Sequence, residues 1–180
     1  MSLERKSVAL PALGESAEDV AVARIISRLS SEYILRALQL LVESYGEIRT
    51  GVIAQTIVTA NTAHLDTRGG DGRRYAAIDE TPPDELRRPI SIARLAESLA
   101  LPFETTRRHV QRLIDTGVCV RVEGGVIVPQ AVLEQPGAAR AALANVAYVR
   151  KFLRDVQAAG LGPHPRPDPP KTRLPTDLGK

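Results

Sequence analysis

Residues 89–129, PISIARLAESLALPFETTRRHVQRLIDTGVCVRVEGGVIVP, decide the fold. They open with an apolar stripe at the i, i+3, i+4 and i+7 spacing of one helix face, formed by Ile92, Leu95, Ala96 and Leu99. Ser91 precedes the stripe and suits the N-cap of a helix. Leu101 and Pro102 interrupt the pattern, because the residue before a proline is pushed out of the helical region. Since proline suits the first turn of a helix, a second helix is predicted to begin near Pro102.

The second helix has an apolar side and a cationic side. The apolar side consists of Phe103, Thr106, Val110, Leu113 and Ile114. The opposite side consists of Thr105, Arg108 and Arg112, with Glu104, Arg107, His109 and Gln111 on the flanks. One side is therefore expected to pack while the other presents positive charge.

A short β-hairpin is predicted after the second helix. Gly117 follows the last periodic residue, as a C-terminal glycine does. Alternating valines then run from Val118 to Val122, with Cys119 in the predicted first strand, and a second apolar run covers 126–128. The predicted tip is Glu123-Gly124-Gly125. Two helices and a hairpin need one more helix to close a core, so the module is expected to include a helix from upstream.

This order is that of a winged helix-turn-helix, and the run resembles the DNA-binding domains of bacterial winged-helix regulators, most closely the GntR type. Their recognition helix has the pattern T-x-R-R-x-L-x-x-L before a glycine, which here is Thr105, Arg107, Arg108, Val110 and Leu113 before Gly117. The resemblance implies that Thr105 and Arg107 meet phosphates or base edges, joined by Arg108 or Arg112 in or beside the major groove. His109 and Gln111 are predicted helpers in groove recognition.

The run departs from such families at three places. Pro102 stands where a serine cap is common, and Ala100 where the turn often has glycine. The predicted wing tip has Glu123 and no cation, and phosphate would repel its carboxylate. Contacts from the wing are therefore expected from backbone amides or from Arg121.

The rest of the chain is predicted to be mostly helical, which makes the fold mainly α with a small β wing. A flexible segment is expected over 1–16, helices over 17–65 with a break at Gly46, and a loop over 66–88. After the winged module, 89–129, a C-terminal helix is expected within 130–159 and a disordered proline-rich tail over 160–180. Arg73 and Arg74 are interpreted as part of a solvated loop.

Composition limits the classes of function. The chain has 24 Lys+Arg against 21 Asp+Glu, a net charge of +3, which is compatible with nucleic acid. No phosphate-binding loop, nucleophile elbow or spaced Cys/His set is found, and His164 has no spaced partners, so neither catalysis, nor a metal, nor a cofactor is predicted. The single cysteine is assigned to packing. A chain without a signal peptide or a long apolar run is expected in the cytoplasm.

Long apolar helices on both sides of the module lead to the hypothesis of a homodimeric, sequence-specific regulator of transcription that binds double-stranded DNA. MarR-type regulators are similar in overall arrangement. The helices could instead complete a core within one chain. Two other hypotheses are an adaptor that binds protein without DNA, and a ligand-responsive regulator whose nearest polar candidates are Gln55, Thr59, Asn61 and His64.

Overall fold

The computed structural model describes residues 17–65, 75 and 80–161, with no side chains described for 17–19. The predictions for 1–16, for Arg73 and Arg74, for His164 and for the tail beyond residue 161 lie outside the described residues. Within the described part the chain is mainly helical, with one two-stranded antiparallel sheet. The predicted combination of helices and a small β-hairpin is therefore confirmed at this level.

The helices and strands occur in the predicted order. The chain has helices α1 (Ala17–Tyr45) and α2 (Ile48–Thr62), a short 3-10 turn (Asp84–Leu86), α3 (Ile92–Ser98), α4 (Phe103–Asp115), strands β1 (Val120–Val122) and β2 (Gly125–Ile127), and helices α5 (Gln130–Leu133) and α6 (Pro136–Ala158). Gly46 takes a left-handed φ of 77° between α1 and α2, which is the predicted break.

Local signals fix both ends of the helix pair α3–α4. The Ser91 hydroxyl accepts a hydrogen bond from the Arg94 amide at 3.3 Å, which confirms the predicted cap. At the end of α3, Ala100 adopts φ 50°, and at the end of α4, Gly117 adopts φ 75°. In both places the next amide donates a hydrogen bond to the carbonyl five residues before it, as in a Schellman motif. Leu101 donates to Ala96, and Val118 donates to Leu113. Ala100 thus adopts the left-handed conformation for which glycine is expected.

The hairpin is anchored to the segment that precedes α3. In β1 and β2, Val120 pairs with Ile127 and Val122 with Gly125. Ile90 forms an additional bridge to Val126, with N–O distances of 3.2 and 3.1 Å. A side chain at Gly125 would overlap the Ile90 carbonyl, and its φ is 154°. Only glycine therefore allows the two backbones to approach so closely.

One core joins α2, α3, α4 and the hairpin. It consists of Ile53, Ala54, Ile57, Leu95, Val110, Leu113, Cys119, Val126 and Val128. The polar side chain of Asn61 lies inside it, fully buried. Its Nδ2 donates to the carbonyls of Arg88 at 2.8 Å and Val126 at 3.3 Å, and its Oδ1 accepts from the Val128 amide at 3.0 Å. Asn61 therefore ties α2 to β2 and to the segment before α3.

Helices α1 and α6 pack against each other beside this core. The Tyr33 hydroxyl lies 3.3 Å from Asn145 Oδ1, and the Tyr33 and Phe152 rings are 6.0 Å apart. At its other end α1 crosses α2 at Gly51, where an added Cβ would lie 2.8 Å from Leu41 Cβ. No residue of 20–45 or of α6 is buried, so this pair, called the α1–α6 arm below, keeps much apolar surface exposed.

Four details of the sequence-based prediction are wrong. Phe103 is 53 % exposed rather than packed, because the packed side of α4 begins one turn later at Thr106. Cys119 precedes β1 instead of lying in it. The hairpin tip is the two-residue turn Glu123-Gly124, since Gly125 already pairs with Val122. Residues 130–159 form two helices, because Pro136 starts a new helix at its first position.

Candidate nucleic-acid interface

Helix α4 is held by one side and open on the other. Thr106, Val110 and Leu113 are buried against the core, while Arg107, Arg108 and Arg112 are exposed. The 3.6-residue period therefore separates packing from charge along the helix, as the sequence predicts. Helix α4 is therefore anchored through one side to the core, while its basic residues stay exposed.

Arg107 is paired with a carboxylate of its own helix. Its Nε lies 2.9 Å from Glu104 Oε2 and its Nη2 lies 2.7 Å from Glu104 Oε1, a two-bond fork between exposed side chains. The guanidinium holds the pKa of the Glu104 carboxyl below its ordinary value, and the carboxylate raises the pKa of Arg107. Both groups stay charged, and the pair has no net charge.

Arg112 is paired across the fold. Its Nη1 lies 3.2 Å from Oε2 of Glu47. Glu47 is the residue that directly precedes α2. The same carboxylate is 3.4 Å from the Thr50 hydroxyl, which in turn lies 2.9 Å from His109 Nδ1. The His109 side chain is only 13 % exposed. The structure therefore turns His109 toward α2 and does not place it among the exposed side chains of α4, where the sequence analysis puts it.

The remaining predicted residues differ in their exposure and in their hydrogen-bond partners. Arg108 is exposed and has no hydrogen bond or ion pair with any other residue that the structure describes. Thr105 is half-buried beside it, and Gln111 Nε2 donates to Asp115 Oδ1 at 2.8 Å. Arg121 is exposed on β1. Arg108 is thus the α4 arginine best placed to accept a new anionic partner.

The tip of the hairpin has an acidic character. Glu123 is exposed in the turn, next to Gly124, whose φ is 84°. Both valines of β1 also face solvent, with Val120 39 % and Val122 36 % exposed. The hairpin therefore offers Arg121 as its cation, and its tip would repel a phosphate.

The polar candidates for a ligand pocket do not converge. Gln55 and Thr59 line a shallow depression together with Leu41 and Ile90. The Asn61 side chain is fully buried and makes three hydrogen bonds in the core, so its prediction as a polar candidate for ligand binding is wrong. His64 is half-buried, and its Nδ1 has no hydrogen-bond partner among the residues that the structure describes. The four polar candidates therefore do not line one common pocket.

Sequence analysis missed the two carboxylates that partner the arginines. The Glu104–Arg107 pair has the i, i+3 spacing that favours ion pairs on a helix, so this signal was available. Glu47 lies 65 residues before Arg112 in the chain. No local pattern predicts that contact, because it arises from the packing of α2 against α4.

The described part of the chain contains no helix with the length and apolar character that a membrane span requires. Comparisons with protein-family models, with curated proteins and with solved structures found no match to this chain.

Proposed function

We propose that the chain is a sequence-specific, double-stranded DNA-binding regulator of transcription, which acts as a homodimer through a winged helix-turn-helix. The succession α2, the Ile90 bridge, α3, α4 and the hairpin supports this assignment. In such a module the second helix of the turn enters the major groove, and here that helix is α4. The proposed site of action is the cytoplasm of a bacterial cell.

The observation that carries the proposal is the exposed cationic face of α4. Arg107, Arg108 and Arg112 share this face, and a fully buried stripe holds the opposite side. Arginine donors suit both phosphate oxygens and the O6 and N7 acceptors of guanine. Thr105 and Gln111 flank the arginines as hydrogen-bonding side chains, and Arg121 extends the cationic surface to the hairpin.

Exposed apolar side chains on the α1–α6 arm support a homodimer. Ile34 and Leu35 of α1 are 52 % and 62 % exposed, and Leu143 and Leu153 of α6 are 56 % and 53 % exposed. On α6, a seam of alternating fours and threes like that of a coiled coil is widened by Leu143 and consists of Ala142, Val146, Val149, Leu153 and Val156. A second copy that covers this seam would bring two α4 helices into one dimer, which recognition of two half-sites requires.

The direct test of this function is binding of the purified chain to random-sequence duplex DNA, beside Arg108→Ala. Because Arg108 is exposed and has no hydrogen bond or ion pair with another described residue, its removal should weaken binding without unfolding the chain. Arg24→Ala, which removes an exposed arginine from α1, is the matched control and should bind as the unaltered chain does. Equal binding by all three proteins would contradict the assignment to α4.

A protein-binding adaptor is the second candidate function. It is favoured by the two carboxylates that neutralise Arg107 and Arg112 and by the acidic hairpin tip. An adaptor would use the apolar residues of the α1–α6 arm and would show no salt-dependent affinity for DNA. The salt dependence of binding therefore separates the two functions.

A further inference from the structure

Glu104 occupies an unusual position for a residue near DNA. It lies in the first turn of α4, and its side chain is 61 % exposed. In a helix-turn-helix, the N-terminal residues of the recognition helix are the ones that contact base edges. A carboxylate there is repelled by every phosphate, so it lowers affinity unless it accepts a hydrogen bond from a base.

The geometry of the pair leaves the base-recognising edge of Arg107 free. A guanidinium has five N–H donors, and Glu104 uses one on Nε and one on Nη2. Three donors remain on Nη1 and Nη2, and one from each nitrogen lies on the edge between them, where the two can form parallel hydrogen bonds. Glu104 thus holds the guanidinium so that this edge faces away from the helix's own carboxylate.

The carboxylate also keeps capacity for a further donor. Two carboxylate oxygens offer about four lone-pair sites, and Arg107 fills two of them. In the major groove, guanine presents the O6 and N7 acceptors while cytosine presents its N4 amino donor. Arg107 and Glu104 together therefore have the donors and the acceptor that complement a guanine and a cytosine.

We propose that Glu104 and Arg107 act as one unit that recognises a C·G base pair, with Arg107 donating to guanine O6 and N7 and Glu104 accepting from cytosine N4. This inference rests on the proposed DNA-binding function. It makes Glu104 a determinant of sequence specificity in addition to the arginines that supply affinity.

The experiment is selection of binding sites from random duplex DNA, followed by sequencing, for the unaltered chain and for Glu104→Gln. The unaltered chain should select sites with one fixed C·G pair in each half-site. Because glutamine suits adenine and lacks the carboxylate, the variant should lose the preference for that pair by about 5- to 150-fold and accept adenine there. Glu104 is exposed, so circular dichroism should show an unchanged fold.

Glu47→Gln is the matched control, because it removes the other carboxylate paired with an α4 arginine. It should raise the affinity and leave the selected sequence unchanged. If Glu104→Gln also raises the affinity for every duplex and selects the unaltered site, Glu104 only repels phosphate and the inference is wrong. Failure of the unaltered chain to bind any duplex would overturn the proposed function itself, and the inference with it.

Discussion

Two of the three arginines on the exposed side of α4 are ion-paired in the free chain. Arg107 is held by Glu104 and Arg112 by Glu47, whereas Arg108 has no hydrogen bond or ion pair among the described residues. Exposed ion pairs contribute about 0–1 kcal/mol, so a phosphate can replace either carboxylate at small cost.

The positions of the arginines were predictable from the helical period. Their partners were not, since Glu47 reaches α4 through tertiary packing.

Substitution of Glu47 tests the role of this pairing. Glu47→Gln frees Arg112, so the affinity for duplex DNA of any sequence should rise, and the slope of log K against log salt should steepen by up to about one unit. Fluorescence anisotropy across a salt series measures both quantities. Glu43→Gln removes an exposed carboxylate from α1 and is the control. Equal gains in the two variants would show that Glu47 acts only through net charge.

At the scale of helices and strands, the prediction succeeded where a local signal exists. Ser91 caps α3 and Gly117 ends α4, as their residue types predict. The signal failed at Phe103, where the helical period assigned packing but the side chain is 53 % exposed among the described residues. It also failed to reveal Asn61, because a buried amide that joins three segments has no periodic signature. Such contacts depend on the complete fold.

The Asn61 hydrogen bonds should be among the strongest contributions to the stability of the module. Asn61→Ala takes from the Val128 amide and the Arg88 carbonyl their hydrogen bonds to the core, at a cost of about 3 kcal/mol, whereas the Val126 carbonyl keeps its bond from the Ile90 amide. Thermal unfolding should show a Tm lower by roughly 10 °C. Gln55→Ala, which truncates an exposed side chain of the same helix, should unfold near the temperature of the unaltered chain. A similar Tm for both variants would contradict the role of Asn61.

At the scale of the whole molecule, the described surface has a basic part and an apolar part. The compact module of α2, α3, α4 and the hairpin presents the basic side of α4, and the α1–α6 arm presents exposed apolar residues. Sequence periodicity predicted both long helices, and the structure pairs them within one chain. Because each helix has more than one apolar face, that pairing leaves the seam of α6 uncovered. We assign the uncovered seam to a second copy of the chain.

A charge in the seam should separate the copies. Light scattering should give twice the 19.5 kDa chain mass for the unaltered protein and the single chain mass for Leu143→Glu, because a buried unpaired carboxylate is costly. Ala131→Glu adds the same charge at an exposed position outside α6 and should stay dimeric. A single chain mass for the unaltered protein at micromolar concentration would contradict the homodimer.

The central claim is that the exposed side of α4 binds DNA, and the salt dependence of binding tests it most directly. The affinity for random duplex DNA is measured across a salt series for the unaltered chain, for Arg108→Ala/Arg112→Ala, and for Arg24→Ala/Arg28→Ala, which removes two exposed arginines from α1. We expect steep salt dependence that the α4 double variant flattens by about two units while the α1 double variant leaves it unchanged. Salt-independent binding by the unaltered chain, or identical slopes for the two double variants, would contradict the claim.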